Sequence, residues 1–340
     1  MVGRVRALAP WLAVFVLYAA AVLILGAHDP APVVPPVLER AEDAVGTRAV
    51  ELILAALAAV SFALGAVLAR RWVPDPWATR GVLVVALSPL GFQISAGTRP
   101  GAIAAAMLAG GTVLALRVRD NATRPNGLGA AFLLAFAPWF GLGYAAGAIP
   151  PLLALIVWTY RRHRPLLGLL EIEVAGASAV ALAGVEPPDG VAATPGSGPE
   201  RLAALLVDRG VGLLRWAPML LLAFGAVYLL ARSRKEKLAQ AIPSVREAEV
   251  AAALSGVMVL GLAGAAAFGA VTPSAGLPFA AALGAWSLRR IPRIGAALAL
   301  ITLAGTVWVA IDLATNHANA WLGLGSDAPW GPLARAFVIF

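Results

Sequence analysis

The segment "ALSPLGFQISAGTRPG" (86–101) places a single cation, Arg99, between two apolar runs. A guanidinium at the end of a membrane helix can bind an anionic group such as a lipid phosphate. It can also extend to the membrane surface without binding any ligand, because long basic side chains reach the interface. At the bilayer centre the same charge would cost at least roughly 2.5–3.5 kcal/mol on insertion scales. The chemistry open to Arg99 therefore depends on the elements that flank it.

The composition indicates a membrane protein. Hydrophobic residues make up 60% of the 340 residues, charged residues make up 13%, and the mean hydropathy is +0.83. A soluble domain carries about 25% charged residues. The net charge of +8 is explained by basic loops that stay on the cytoplasmic side, so no nucleic-acid partner is expected.

Several kinds of chemistry have no support in the sequence. The chain contains no cysteine, which excludes disulfides, thiol nucleophiles and zinc–thiolate sites. It has no P-loop, GxSxG or HExxH motif, and no GxGxxG with a supporting strand. ATP hydrolysis, serine hydrolysis and dinucleotide binding are therefore not expected.

Apolar runs along the whole chain predict an all-α polytopic membrane protein with about eleven transmembrane helices, within a range of 9–12. The predicted spans are 7–27, 49–69, 81–95, 101–116, 127–142, 145–160, 166–184, 210–231, 250–271, 278–288 and 294–311. They form one transmembrane domain, 1–311, with outer loops 28–48 and 185–209, followed by a short outer C-terminal tail, 312–340. The first span is long enough to predict a retained anchor rather than a cleaved signal peptide.

The distribution of basic residues predicts the orientation. With the N-terminus inside, 19 of the 26 basic residues fall in inner loops, and each inner loop holds at least two. Because basic residues near helix ends are retained on the cytoplasmic side, this asymmetry predicts an N-in, C-out protein of the plasma membrane. The 19 residues are Arg4, Arg6, Arg70, Arg71, Arg80, Arg117, Arg119, Arg124, Arg161, Arg162, Arg164, Arg232, Arg234, Lys235, Lys237, Arg246, Arg289, Arg290 and Arg293.

Three stretches resemble the C-type (GT-C) membrane glycosyltransferases, the superfamily that includes protein mannosyltransferase-like and arabinosyltransferase-like enzymes. The first, 56–111, contains "LARR", "LSP" and an outer "RP" before a small-residue helix. The second, 205–235, contains "DRG" and "GLLRWAP", and the third, 271–308, lies where the superfamily has a late "RYLLP" helix. The resemblance implies a GT-C-like bundle that transfers a sugar from a polyprenyl-phosphate donor, itself a membrane lipid, at the outer face.

The resemblance also implies a carboxylate in the first outer loop, soon after the first helix. Asp29 best matches that position, and Glu42 with Asp43 is the paired-acid alternative. The carboxylate would act as a base, because the acceptor hydroxyl must lose its proton as it attacks the anomeric carbon. Some members of the superfamily hold a divalent cation, Mg²⁺ or Mn²⁺, through carboxylate oxygens. Asp29 would be its ligand here.

The leaving lipid phosphate gains charge, so cations should face it. Arg215 is the preferred ligand, since it lies within the predicted helix 210–231 and must face protein or a water-filled cavity there. Arg99 is the next candidate, and Arg209 is a third outer cation. Arg215 could instead pair with Asp208. The late motif reads "SAGLP" (274–278), without the Arg or Tyr that would touch the donor in the superfamily.

Two other hypotheses stay open at the level of sequence. One is a non-catalytic membrane scaffold that keeps the fold but not the site; a protein partner of unknown identity that completes the outer cavity is open under each of the hypotheses. The other is a transporter or lipid flippase, although the sequence shows no repeat and the charges cluster at loop ends. Glu171 and Glu173 are expected to pair with the basic run 161–164 rather than to form a proton relay.

Overall fold

The computed structural model describes residues 2–25, 44–96, 99–183, 200–201, 206, 213–233, 243–267 and 273–316, and the regular elements within these ranges are all helical. The α-helices are α1 (Val2–Leu25), α2 (Thr47–Ala69), α3 (Trp77–Ala86), α4 (Pro89–Ala96), α5 (Arg99–Asp120), α6 (Arg124–Phe136), α7 (Ala145–Arg161), α8 (Pro165–Ala183), α9 (Leu213–Trp216), α10 (Leu221–Ser233), α11 (Pro243–Ala267), α12 (Leu277–Arg290) and α13 (Pro292–Asn316). Short 3₁₀ turns lie at Ala137–Phe140, Leu142–Tyr144, Pro218–Leu220 and Pro273–Gly276.

Five helical segments of the described chain are long and apolar enough to cross a membrane. They are Thr47–Ala69, Pro100–Asp120, Leu142–Arg161, Pro165–Leu182 and Val250–Ala267. The prediction of an all-helical membrane protein is confirmed at this level. The count of eleven spans and the N-in orientation stay predictions, and α13 continues to Asn316, so that residues 312–316 of the predicted tail are helical.

Two of the predicted spans are divided by a break, and a third, 127–142, passes from α6 into the 3₁₀ turn Ala137–Phe140 and is interrupted at Gly141. The run 81–95 is divided between α3 and α4, with a break at Leu87 and Ser88, and the run 210–231 contains a break at Ala217 between α9 and the Pro218–Leu220 turn. Each break directly precedes a proline, which cannot donate a backbone hydrogen bond and favours the first turn of a new helix. Both predictions of an unbroken helix were therefore wrong.

The helix α12 forms the centre of the bundle. Every residue from Leu277 to Ala285 is buried, and glycines allow two neighbouring helices to approach it closely. A Cβ atom added to Gly81 of α3 would lie 2.6 Å from the Cβ of Ala285, and one added to Gly65 of α2 would lie 2.8 Å from the carbonyl oxygen of Pro278. Small residues allow this contact, because membrane helices associate largely through close backbone packing.

The loops 70–76, 120–124 and 161–165 meet at one end of the bundle, which we call the basic end. Arg71 Nη1 lies 2.5 Å from Asp120 Oδ2, and the Arg162 guanidinium donates a hydrogen bond to the Arg119 carbonyl oxygen. These contacts join three loops that are distant in sequence, and all three were predicted to lie on the same side of the membrane. Which side this is stays a prediction.

A small polar network closes the first of these loops. Arg70 Nε lies 2.6 Å from Asp75 Oδ2, and the Thr79 hydroxyl and backbone N–H donate to Asp75 Oδ1 at 2.6 and 3.2 Å. Partial burial alone would raise the pKa of Asp75, but the hydrogen bonds from Thr79 and the charge of Arg70 lower it below its ordinary value. The network thus holds the first turn of α3 against the end of α2.

Candidate functional site

The break between α3 and α4 is the central feature of the candidate site. Pro89 has no N–H, so it cannot complete a helical hydrogen bond to the carbonyl oxygen of Val85. The Ser88 hydroxyl donates to that oxygen at 2.6 Å instead and accepts the backbone N–H of Gly91 at 3.3 Å. A Cβ atom at Gly91 would collide with the Ala86 carbonyl oxygen, so this turn of α4 requires glycine.

Two hydroxyls from distant helices bind the carbonyl oxygens at the break. The buried Tyr18 hydroxyl of α1 donates to the Ala86 carbonyl oxygen at 2.5 Å. The Thr306 hydroxyl of α13 donates to the Leu87 carbonyl oxygen at 2.8 Å. Backbone groups exposed by a break must be satisfied inside an apolar environment. The break between α3 and α4 is thereby tied to α1 and α13, the first and the last described helices.

The second break, at Ala217, packs against the face of α13 that also contacts the first break. The backbone N–H of Met219, in the Pro218–Leu220 turn, donates to Thr302 Oγ1 at 3.1 Å, and the Thr302 hydroxyl donates to the Leu298 carbonyl oxygen at 2.8 Å. Thr302 and Thr306 are four residues apart, so they share one face of the helix. That face therefore contacts the break after α9 and the break between α3 and α4.

Three segments converge on α4. The helix α9, which contains Arg215, packs against α4, and the Pro273–Gly276 turn packs against α4 and α5. The helix α5 begins at Arg99, three residues after α4 ends at Ala96. The structure therefore brings together parts of the three stretches that carry the sequence resemblance.

The sequence-predicted site residues are only partly described. Asp29, Glu42, Asp43 and Arg209 lie outside the described residues. Arg99 is the first residue of α5 and Arg215 belongs to α9, but only their backbones are described. Their side chains lie outside the described part. The catalytic and phosphate-binding roles of all six residues stay predictions.

The segment "SAGLP" is part of the packed core. Residues 274–278 are buried, and the Pro278 carbonyl oxygen faces Gly65 at the contact between α12 and α2. Because it is packed against other helices, this stretch can hold the start of α12 in position. The stretch that the sequence resemblance compared with the late motif is thus buried among helices.

Glu171 corrects one expectation from the sequence. This buried side chain lies in α8 and accepts a hydrogen bond from the Thr159 hydroxyl at 3.0 Å, while its Oε2 atom has no hydrogen-bond partner. A Cβ atom at Gly127 would lie 2.5 Å from its Oε1 atom. The predicted pairing with the basic run 161–164 was wrong, because Glu171 points into the contact between α8 and its neighbours α6 and α7.

No cation site is found in the described part of the chain. Within the ranges given above, no three His, Cys, Asp or Glu side chains lie close enough together to hold a metal ion. The predicted ligand Asp29 lies outside those ranges, so the prediction of a divalent cation is not tested.

The functional groups that sequence reasoning missed are hydroxyls. Tyr18, Thr302 and Thr306 interrupt apolar helices without any motif around them, and their partners are backbone groups of distant segments. The "LSP" at 87–89 was the one available signal, since a proline after a serine is typical of a helix start.

Comparison of the chain with models of known protein families, with curated proteins and with solved structures finds no match.

Proposed function

We propose that this chain is a multi-pass membrane glycosyltransferase of the plasma membrane, which moves a sugar from a polyprenyl-phosphate donor to an acceptor at the outer face. Arg215, Arg99 and Arg209 would bind the donor phosphate, and Asp29 would be the base, with Glu42 and Asp43 as alternatives. An all-helical bundle with several long apolar helices supports a lipid-linked donor, because such a substrate enters from the bilayer.

The single observation that carries the proposal is the packing around α4. The helix α9, with Arg215, contacts α4, and Arg99 begins α5 three residues after α4 ends at Ala96. Two arginines far apart in sequence therefore belong to segments at the same helix, as two ligands of one phosphate would require. The hydroxyls of Tyr18 and Thr306 fix the backbone of α3 and α4, which would keep these cations in place during turnover.

The proposed reaction is a direct displacement. The acceptor hydroxyl oxygen attacks the anomeric carbon and forms the new glycosidic bond, while the bond from that carbon to the phosphate oxygen breaks. Its electron pair leaves with the lipid phosphate, where the arginines stabilise the added negative charge. The hydroxyl proton passes to the Asp29 carboxylate.

A transfer assay in liposomes tests this proposal. The full-length protein would be given a synthetic polyprenyl-phosphate sugar, and released lipid phosphate would be measured. We expect Asp29→Asn to reduce turnover by roughly 10²–10⁴-fold, the usual contribution of a general base, without changing the thermal unfolding temperature.

The arginines have a matched control in the same assay. Arg215→Gln and Arg99→Gln should raise the KM for the donor, while Arg48→Gln, at an exposed position near the start of α2, should leave it unchanged. Retained turnover in Asp29→Asn, or the same KM in all three arginine variants, would refute these assignments.

A second candidate, a transporter or lipid flippase, is favoured by two specific observations. The helical runs at 77–96 and 213–233 are both broken, and Glu171 is buried within a segment long enough to span the membrane. Broken helices and intramembrane carboxylates are typical of transport sites. Movement of a labelled lipid between leaflets that is lost in Glu171→Gln, with no sugar transfer, would favour this candidate over the enzyme.

A further inference from the structure

A cleft of about 450 Å³ opens at the basic end, and its lining contains no residue of α4. It lies between the start of α6 and the start of α8, and its size falls within the range of about 300–1,000 Å³ that is usual for ligand sites. Its lining residues are Asn121, Ala122, Thr123, Arg124, His163, Arg164, Pro165, Leu166 and Leu167. This set contains two arginines and a histidine and no acidic residue.

The basic side chains of the cleft are available to a ligand. Arg124, His163 and Arg164 are exposed, and none of them belongs to either ion pair found in the described part of the chain. Asp120, the acidic residue nearest in sequence to Arg124, is already paired with Arg71, and Glu171, the one nearest to Arg164, is buried and accepts its hydrogen bond from Thr159. The cleft is thus a concentration of unneutralised positive charge.

The backbone adds further donors for an anion. The N–H groups of Arg124 and Asn126 at the start of α6, and those of Leu166 and Leu167 at the start of α8, have no acceptor in a preceding turn, whereas Pro125 and Pro165 carry no N–H. Thr123 makes no side-chain capping bond to α6. His163 adopts a left-handed conformation with φ of 54°, which turns the chain between α7 and α8 and directs the start of α8 towards that of α6. Two helix N-termini beside three basic side chains favour a negatively charged group.

The cleft continues into an apolar surface. Leu166 lines it and is 73% exposed, and Leu169 and Leu170, one turn further along α8, are 56% and 42% exposed. Residues three and four apart lie on one helix face. A charged pocket that leads directly to an exposed strip of leucines matches an amphipathic ligand better than a fully water-soluble one.

We propose that this cleft binds the phosphate of an anionic lipid headgroup, with Arg124 and Arg164 as its cationic ligands and the acyl chains along the exposed leucines of α8. The arginine forks suit phosphate oxygens, to which they can donate two hydrogen bonds each. This site is separate from the proposed donor site and does not depend on the glycosyltransferase proposal.

A binding experiment on the full-length protein in detergent tests the site. Dihexanoyl phosphatidylglycerol, dihexanoyl phosphatidylcholine and inorganic phosphate would each be titrated, and thermal stabilisation would report binding. We expect saturable binding of the phosphatidylglycerol and much weaker binding of the zwitterionic lipid. The double variant Arg124→Gln/Arg164→Gln should raise the Kd by roughly 30-fold, since each arginine near a lipid headgroup contributes about fivefold.

A variant of equal charge provides the control. Arg80→Gln/Arg293→Gln removes two exposed arginines that do not line the cleft and should change the Kd by less than about twofold, within the ±0.5 kcal/mol typical of surface substitutions. Tight binding of inorganic phosphate that depends on Arg124 and Arg164 would support the phosphate site but identify a soluble phosphate as its source. An equal loss of binding in both double variants, or no saturable binding of any probe, would overturn the proposal.

Discussion

The substitution Tyr18→Phe tests whether the break between α3 and α4 is held by hydroxyl groups from other helices. It removes one oxygen atom and keeps the ring, which packs edge-on against Phe92 with centroids 5.2 Å apart. Tyr18 is 0% exposed, and its hydroxyl lies 2.5 Å from the Ala86 carbonyl oxygen. The variant would therefore remove the hydrogen bond from Tyr18 to this carbonyl oxygen without creating a large cavity.

The expected effect follows from the burial of that carbonyl group. Leaving a buried polar group unsatisfied costs about 1–3 kcal/mol. With an unfolding entropy of about 2.1 cal/mol/K per residue, each kcal/mol lowers the unfolding temperature of a 340-residue chain by roughly 1.4 °C, which gives a decrease of roughly 1–4 °C. Thermal unfolding of the purified protein in detergent, followed by tryptophan fluorescence, would measure it.

Tyr160→Phe is the matched control. Tyr160 is 73% exposed at the end of α7, so removing its hydroxyl should change the free energy of unfolding by less than about 0.5 kcal/mol. Equal unfolding temperatures for the two variants would refute the view that Tyr18 stabilises the break.

Three further predictions concern packing and charge. Gly81→Ala should lower the unfolding temperature, because the new Cβ atom would lie 2.6 Å from the Cβ of Ala285, whereas ordinary contacts begin at 3.4 Å. Such overpacking costs about 1–3 kcal/mol. The control Gly176→Ala, which has no atom within 4 Å of the new Cβ, should leave the unfolding temperature unchanged or raise it. Glu171→Gln should leave the free energy of unfolding unchanged or raise it by up to about 1 kcal/mol, since it keeps an acceptor for Thr159 and removes a buried carboxylate with an unpartnered oxygen. The folded state lowers the pKa of Asp75 below its ordinary value of 3.8. The ionised carboxylate therefore stabilises the fold at pH values above 3.8, and this stabilisation is lost as the pH falls below that value. Acid unfolding curves of Asp75→Asn should show a smaller loss of stability over this pH range than the wild type.

Each of these predictions has a result that would contradict it. Equal unfolding temperatures for Gly81→Ala and Gly176→Ala would mean that α3 and α12 are not in close contact. A large destabilisation by Glu171→Gln would show that the ionised carboxylate has a strong partner. An identical acid response of the wild type and Asp75→Asn would mean that the Arg70 and Thr79 contacts contribute nothing to stability.

Much of the helical structure could be predicted from hydropathy. The predicted span 49–69 corresponds to α2 (Thr47–Ala69), and 145–160 corresponds to α7 (Ala145–Arg161). These long apolar runs have no polar face to reveal a helical period, and their length alone indicated a spanning helix. The same signal failed at 87–88 and at 217, because short apolar helices separated by a buried turn have the hydropathy of one continuous helix.

The side-chain partners of the site could not be predicted. Glu171 was expected to pair with nearby arginines, yet seven residues from Arg164 correspond to about 10 Å along a helix, which removes it from the loop. Its actual partner, Thr159, belongs to the preceding helix. The Tyr18 and Thr306 hydroxyls likewise bind backbone atoms 68 and 219 residues away, and only the tertiary packing of the helices determines such pairs.

The most direct test of the proposed function is native mass spectrometry of the gently purified protein. We expect a retained lipid with the mass of a polyprenyl phosphate that carries a hexose or a pentose, and we expect the Arg99→Gln/Arg215→Gln variant to lose it. A protein that retains only bulk phospholipid, equally in the wild type and in this variant, would contradict a lipid-phosphate donor site at α4 and favour a transporter or a scaffold.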